Sequence, residues 1–340
     1  MNKKGLNTKK IKLNRDNISI YATVALFLLL FIIGSVKYRG FFSSQVIANL
    51  FIDNAYLIVV AIGEAVAILT GGIDLSVGAM IAFVSMITAS LLEKGLNPFL
   101  VIGIVLVVGI IFGTVQGILI QKFGLHPWIV TLAGMFFARG ASYLISIDTI
   151  IINDPTFSKI SSFRIPILPG AFISINVVVS LIVLLVAVYM LKFTKFGRSV
   201  YALGGNEASA KLMGLSVEKT KVLVYTFSGF CSALGGLLFT IYTLSGYGLH
   251  CNGMEMDAIA ACVIGGILLT GGYGNIIGPL FGVLTTGIIQ TLIMFDGTLN
   301  SWWTKIAVGM LLFIFIVLQR VIVLQDEKRK SICLLYTSIY

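Results

Sequence analysis

Charge is scarce in this sequence. Only 11% of its 340 residues are Asp, Glu, Lys or Arg, less than half of the roughly 25% carried by a soluble domain, which excludes an ordinary soluble enzyme. Histidine is scarcer still: His126 and His250 are the only two, too few for a multi-histidine metal centre. The four cysteines, Cys231, Cys251, Cys262 and Cys333, form no C-x-x-C pair and stand at no metal spacing from a histidine, so they read as small apolar packing residues. No G-x-x-x-x-G-K-[ST] loop occurs, and the chain has no such cradle for ATP. H-E-x-x-H is missing as well. So is a G-x-S-x-G elbow, because Asp74 stands before Ser76 where the motif needs glycine.

What the chain has in excess is apolar surface, with 58% hydrophobic residues and a mean hydropathy of +1.01. Lipid is the solvent for such a composition, and at ~20 residues per crossing the length holds about ten helices. Apolar runs at 18–36, 46–70, 76–92, 98–120, 127–147, 172–191, 222–246, 258–270, 276–295 and 302–318 predict an all-α, polytopic bundle of about ten transmembrane helices. The run 258–270 is short for a crossing and is expected as a short or re-entrant helix buried in protein. Residues 1–17 hold six basic side chains and form a tail. The apolar run after them is too long for a signal-peptide core and has no cleavage pattern, so it is a retained first helix. The expected organisation is this tail, one transmembrane domain over 18–325, and a second tail at 326–340.

With the N-terminus inside, seventeen basic residues fall on inside loops and tails. Five (Lys37, Arg39, Lys94, Lys159, Arg164) fall outside, and Arg139 and Lys305 lie within spans. This bias follows the positive-inside rule and places both termini in the cytoplasm. The net charge of +10 is therefore topology in contact with membrane lipid, not a nucleic-acid surface.

Two loops exceed a turn. The outer one, 148–171, contains Pro155, Pro166 and Pro169 and suits a surface that meets something outside the cell. In the inner one, 192–221, Gly204 and Gly205 interrupt the chain, Asn206 is an N-cap, and Glu207 sits in the first turn. Ala208, Ala210, Lys211, Leu212 and Met213 propagate a helix that Gly214 ends. A docking knob and a solvated linker both fit this local pattern. An internal echo aligns 69–78 with 269–278, identical at five of ten positions. Weak repeats with broken, Gly-rich helices are common in transporters, though a Gly- and Leu-rich chain also produces chance matches.

Ionisable residues at membrane depth are costly and must face protein, a wet cavity or the interface. They are Asp53, Glu64, Asp74, Arg139 and Lys305, with Glu255 and Asp257 at a span entrance. Glu64 in mid-span is a pathway residue or a structural bridge between helices, and Asp74 either lines the pathway or caps the next helix. Asp53, Asn54, Asn252, Glu255 and Asp257 are candidate contacts for a polar solute. Gly71, Gly72, Gly271 and Gly272 are the breaks expected beside the pathway. Gly274, Gly278 and Gly282 have the spacing of close helix packing, and Trp128, Trp302 and Trp303 fit interfacial belts.

Four longer stretches carry a family resemblance: L-T-G-G-I-D-L-S-V-G-A-M-I-A-F (69–83), H-P-W-I-V-T-L-A-G-M-F-F-A-R-G (126–140), F-G-R-S-V-Y-A-L-G-G-N-E-A-S-A-K-L-M-G (196–214) and D-A-I-A-A-C-V-I-G-G (257–266). Together they resemble the permease subunits of bacterial carbohydrate ABC importers of the ribose/galactose type, over about 18–325. The run 296–309 resembles the galactofuranose-type members. The resemblance implies a permease pair in the inner membrane, two peripheral ATPase subunits that bind ATP and Mg, and an extracytoplasmic sugar-binding protein. No cofactor is then bound by this chain. The family's coupling segment falls on Phe196, Gly197, Arg198, Ala202, Gly204, Gly205, Asn206, Glu207, Ala208, Ala210, Lys211 and Gly214. The galactofuranose-type likeness implies that the partner permease is a different, homologous chain, with a homodimer the other option. From the residues alone, the competing reading is an ion-coupled secondary transporter of a small polar solute that uses Glu64 or Asp74. An intramembrane enzyme lacks any nucleophile–base pair. The tail departs from the family: 333–338 reads like a translated transposase sequencing adapter, so about 333–340 are left out of fold reasoning. Uninterrupted genomic codons on resequencing would remove that hypothesis.

Overall fold

In lipid each backbone polar group must be satisfied within its own segment, and each of the ten apolar runs forms a helix. The computed structural model describes residues 18–168, 170–300 and 302–337, so the basic tail at 1–17 and residues 338–340 of the tail lie outside the described residues. The elements are α1 (Ile18–Lys37), α2 (Ser44–Leu69), α3 (Val77–Glu93), α4 (Pro98–Lys122), α5 (Pro127–Ile145), β1 (Ile150–Ile151), α6 (Pro155–Ser162), β2 (Arg164–Leu168), β3 (Ala171–Ser174), α7 (Ile175–Phe193), α8 (Lys195–Gly205), α9 (Glu207–Leu212), α10 (Val217–Thr243), β4 (Ser245–Gly246), α11 (Met254–Ile264), α12 (Gly278–Asp296) and α13 (Trp302–Thr337). Eight of the described helices are long and apolar enough to cross a membrane. α3, with 17 residues, and α11, with 11, are shorter and mostly buried. The protein is an all-helical, polytopic membrane protein.

α2 is the central element and is buried without a break over 57–69. α10 runs antiparallel to it, with Gly63 of α2 against Cys231 and Gly235 of α10 against Val60. α4 lies on the other side of α10. There Gly109, Gly113 and Gly117 present a bare stripe, and a methyl at Gly117 would lie 2.8 Å from the Val222 Cα while one at Gly113 would overlap the Tyr225 carbonyl oxygen. Membrane helices gain little from burying apolar groups against one another, so they associate where small residues let backbones touch. The exposed apolar surface carries Leu29, Ile32 and Val36 of α1 and Phe136, Phe137 and Leu144 of α5.

Three expectations change at their edges. The span expected from residue 172 starts at Ile175, because 171–174 pairs as β3 with β2, with a register irregularity between Pro166 and Leu168. The helix expected at 258–270 is α11, starting at Met254 and stopping at Ile264. Gly265 lies against the Gly278 carbonyl and Gly266 is left-handed (φ +91°), so the chain turns non-helical. Of the three glycines expected on one helix, Gly278 and Gly282 meet the Gly265 and Ala261 carbonyls, while Gly274 precedes α12 with φ +140°.

The segment between α5 and α7 forms a cap at one end of the bundle. Asp154 caps α6 by accepting from the Thr156 and Phe157 amides (2.8 and 3.0 Å), and Phe157 plugs between α3, α4 and α10. β1 pairs with β4, Ile150 opposite Gly246. Beyond β4 the chain turns back into the bundle. Gly246 packs on Ser85 and Ala89 of α3, yet the Cys251 carbonyl and Glu255 lie against Gly78, seven residues closer to the other end of the same helix. At 1.5 Å per residue, the loop 247–253 descends roughly 10 Å. Of the described non-glycine residues with left-handed backbones, Leu244 (φ +49°) precedes this descent and Cys251 (φ +54°) lies within it.

Candidate functional site

The two halves of the internal echo meet face to face. Gly71 (φ +80°), Gly271 (φ +82°) and Gly272 (φ +73°) are left-handed, a conformation open to glycine at little cost. The Gly272 amide donates to the Leu69 carbonyl at 2.8 Å, and a methyl on Gly271 would lie 2.5 Å from the Gly71 nitrogen. α8 closes the junction with a third pair. A methyl on Gly204 would overlap the Leu69 carbonyl oxygen, and one on Gly272 would lie 2.6 Å from the Gly205 nitrogen. Three Gly-Gly pairs, from distant parts of the chain, therefore pack backbone on backbone.

Local sequence positions α8 and α9. Thr194 caps α8, Gly197 packs on the Leu191 backbone, Phe196 rests on the main core, and the Tyr201 hydroxyl donates to the Gly274 carbonyl at 3.0 Å. Tyr201 lies outside the spans, and burial raises its pKa, which keeps the phenol protonated and donating. Asn206 caps α9 as the pattern predicts, with Oδ1 accepting from the Ser209 amide at 2.8 Å. Ala210 packs with Leu203, Val217 and half-buried Ala202, and Gly214 ends the turn at φ +75°. Glu207 accepts from Lys221 at 2.6 Å. Arg198, Ala208 and Lys211 are exposed, as are Leu212 and Met213 at the tip. Those last two extend the expected docking surface, and an apolar pair following a capped polar turn was the available signal. A cleft of about 250 Å³ lies beside this knob, lined by Gly71, Gly72, His126, Glu207, Lys221 and Tyr225.

Just inside the junction, the two buried acids join four helices. The Asp74 amide donates to Glu64 Oε1 at 3.2 Å. Asp74 Oδ1 accepts from the Ser76 amide (3.0 Å) and hydroxyl (2.6 Å), and Oδ2 accepts from the Ser228 hydroxyl at 2.6 Å. Gln116 Nε2 donates to Ser76 at 3.1 Å. Glu64 and Asp74 are fully buried, so here they brace the Gly71–Gly72 turn and face no open cavity. Ser76 precedes α3 as its N-cap without a side-chain cap bond, so Asp74 closes the turn before the helix. Sequence reasoning missed Gln116, Tyr225 and Ser228; only the serine- and glycine-rich face of α10 signalled the last.

The remaining candidates spread from the cap side down the descending loop to α11. Asp53 is exposed and accepts from the Tyr242 hydroxyl at 3.1 Å. Its neighbour Asn54 points inward, donating to the Leu50 carbonyl at 2.9 Å and filling the space over Gly287, which makes it a packing residue. Asn252 is exposed and Glu255 is buried against Gly78. Asp257 pairs with Lys305 at 2.6 Å. Arg139 donates to the Gly248 and His250 carbonyls (2.9 and 2.7 Å), holding the descending loop.

Residues 46–316 match a family model described as the permease component of the branched-chain amino acid transport system. The chain belongs to this permease family. It is 46% identical over 318 residues to the inner membrane ABC transporter permease protein YjfF of Escherichia coli K12, covering 93% of this chain and 96% of that one. The fructose import permease protein FruG of Bifidobacterium longum is 38% identical, over 95% of this chain and 96% of its own length. The ribose import permease protein RbsC of Haemophilus influenzae is 35% identical, over 90% and 94%. No solved structure matches the chain.

Proposed function

We propose that this chain is the membrane-spanning subunit of an ATP-driven sugar importer in the bacterial inner membrane. In this reading α8 and α9 receive a separate ATPase that binds ATP and Mg, and a homologous permease completes the pathway. An extracytoplasmic sugar-binding protein delivers a monosaccharide at the cap formed by β1, α6, β2 and β3, and both termini lie on the ATPase side. The sugar class rests on the relatives, whose names are ABC, fructose import and ribose import permeases.

The observation that carries the mechanism is the triple glycine junction. A push on α8 reaches Leu69 at the end of α2, and the turn before α12, through hard backbone contact with no side chain to absorb it. α2 is braced to α3, α4 and α10 by Glu64 and Asp74, so its displacement tilts several helices together. Packed interfaces respond in discrete steps, and such a joint suits a switch between outward- and inward-open states. The ion-coupled reading finds no support among the relatives, which are named as ABC, fructose import and ribose import permeases. The test is uptake of labelled furanose and pyranose sugars into proteoliposomes. Import only by the full set of ATPase, both permeases and binding protein with ATP is the expected result, and import by this chain alone under an ion gradient would overturn the reading.

A further inference from the structure

Asp53 is an exposed carboxylate on the helix whose next residues are the most deeply buried of the fold. It lies nine residues into α2, roughly 14 Å from the helix start. An exposed acid at that depth cannot lie against acyl chains, so this face meets water or the partner permease. The surroundings agree. Tyr242, 45% exposed, donates to Asp53, and the Tyr56 ring packs against Phe239 (5.0 Å, edge-on) and Tyr242 (6.3 Å). Phe239 continues to His250 at 5.0 Å, whose buried Nδ1 has no hydrogen-bond partner among the described residues. His250 and exposed Asn252 belong to the descending loop 247–253. Irregular backbone at membrane depth survives only inside protein or beside a watery path. A short helix starting from such a loop, as α11 does here, is where transporters place substrate contacts. The left-handed Leu244 and Cys251 add backbone strain of the kind that collects at functional sites.

The charge pattern selects the ligand class. Lys305 is committed to Asp257, Arg139 to two backbone carbonyls, and Arg164, which shares a small cleft with Tyr242, to the Ser161 carbonyl and the Phe172 ring, so these three cations already have partners. What remains are hydroxyl-binding groups, Asp53, Tyr242 and Asn252, beside aromatic rings that suit the C–H face of a sugar. We propose that Asp53, Tyr56, Tyr242, His250 and Asn252 form a contact subsite on the translocation path for a neutral, polyhydroxylated ring, and that it disfavours amino acids. This rests on the importer reading above.

The test uses the full complex in proteoliposomes with saturating binding protein, reading labelled sugar uptake and ATP hydrolysis together. Asp53→Asn and Tyr242→Phe each keep shape and remove one charge or one hydroxyl. The expected result is a drop of about tenfold in sugar moved per ATP, the scale of one lost hydrogen bond to a charged group, while hydrolysis stimulated by the loaded binding protein is retained. Unchanged sugar per ATP in both variants overturns the subsite. A second measurement does not depend on transport. With Cys251→Ser as background, Asn252→Cys is expected to react with a membrane-impermeant thiol reagent added from the binding-protein side, more slowly with sugar present. Buried Cys231 is the silent control, and an Asn252→Cys as silent as that control overturns the proposal. If the unmutated complex imports no sugar, or imports leucine instead, the importer reading itself fails, and the two failures are distinct.

Discussion

At the α8–α9 end, residues 69–72, 204–205 and 271–272 touch backbone to backbone, whereas at the cap end Asp53, Tyr242, Asp257 and Lys305 meet through the tips of side chains. The first kind of joint has no soft part. A carbon added at Gly204, Gly271 or Gly272 meets a carbonyl or an amide, and the packed interior around it cannot yield cheaply. The second kind tolerates changes of shape, since rotamers adjust, but not changes of chemistry, since a carboxylate and a phenol are what a polar solute would recognise. Force is transmitted best through the stiff end and solute is selected best at the adaptable one.

This contrast is open to direct attack, and Gly204→Val delivers the largest blow. Its branched side chain must occupy the position of the Leu69 carbonyl, so ATP-driven uptake is expected to fall to background, with size-exclusion chromatography reporting whether the complex still assembles. If Gly204→Val transports normally, the glycine junction does not carry the stroke. Gly113→Leu tests whether stiffness extends up the bundle. Overpacking the α4–α10 contact is expected to cost about 1–3 kcal/mol, read as a lower melting temperature in detergent. Asn206→Ala removes the α9 cap at a cost of about 1 kcal/mol. Faster amide exchange over 207–212 and a few-fold loss of uptake are expected, with Asn206→Asp restoring both. Lys221→Ala should do least, because the half-exposed pair with Glu207 is worth no more than about 1 kcal/mol. Uptake within twofold of the unmutated complex is expected. A larger loss there would show that side chains also carry the coupling, and would blur the distinction between the two ends.

Much of this was legible in the chain. The ten helices follow from apolar runs, and the α9 cap from Asn206 and Gly214, because both report hydrogen bonding within a few residues. The echo of 69–78 in 269–278 was visible, but nothing in it said that the two copies touch, or that Gly204 and Gly205 lie between them. The stripe at Gly109, Gly113 and Gly117 was present at the same four-residue spacing as the glycines singled out near α12, yet only the packed structure distinguishes a stripe that meets a partner from one that does not. Glu64 shows the limit most clearly: its cost in lipid marks it as important, while its hydrogen-bond donor, the Asp74 amide, comes from the turn before α3.

The sequence by itself determined that the chain lives in lipid, how many apolar helices it forms, and where the α9 cap falls, because those properties depend on composition and on local backbone bonding. Tertiary structure alone decided that Asp53 faces outward while Asn54 faces in, that the loop after α10 descends into the bundle, and that three glycine pairs close on one another. The physical reason is that lipid is as apolar as the side chains it touches. Burial therefore gives little instruction about which helix packs on which, and the choice falls to shape and to hydrogen bonds between residues far apart in the chain.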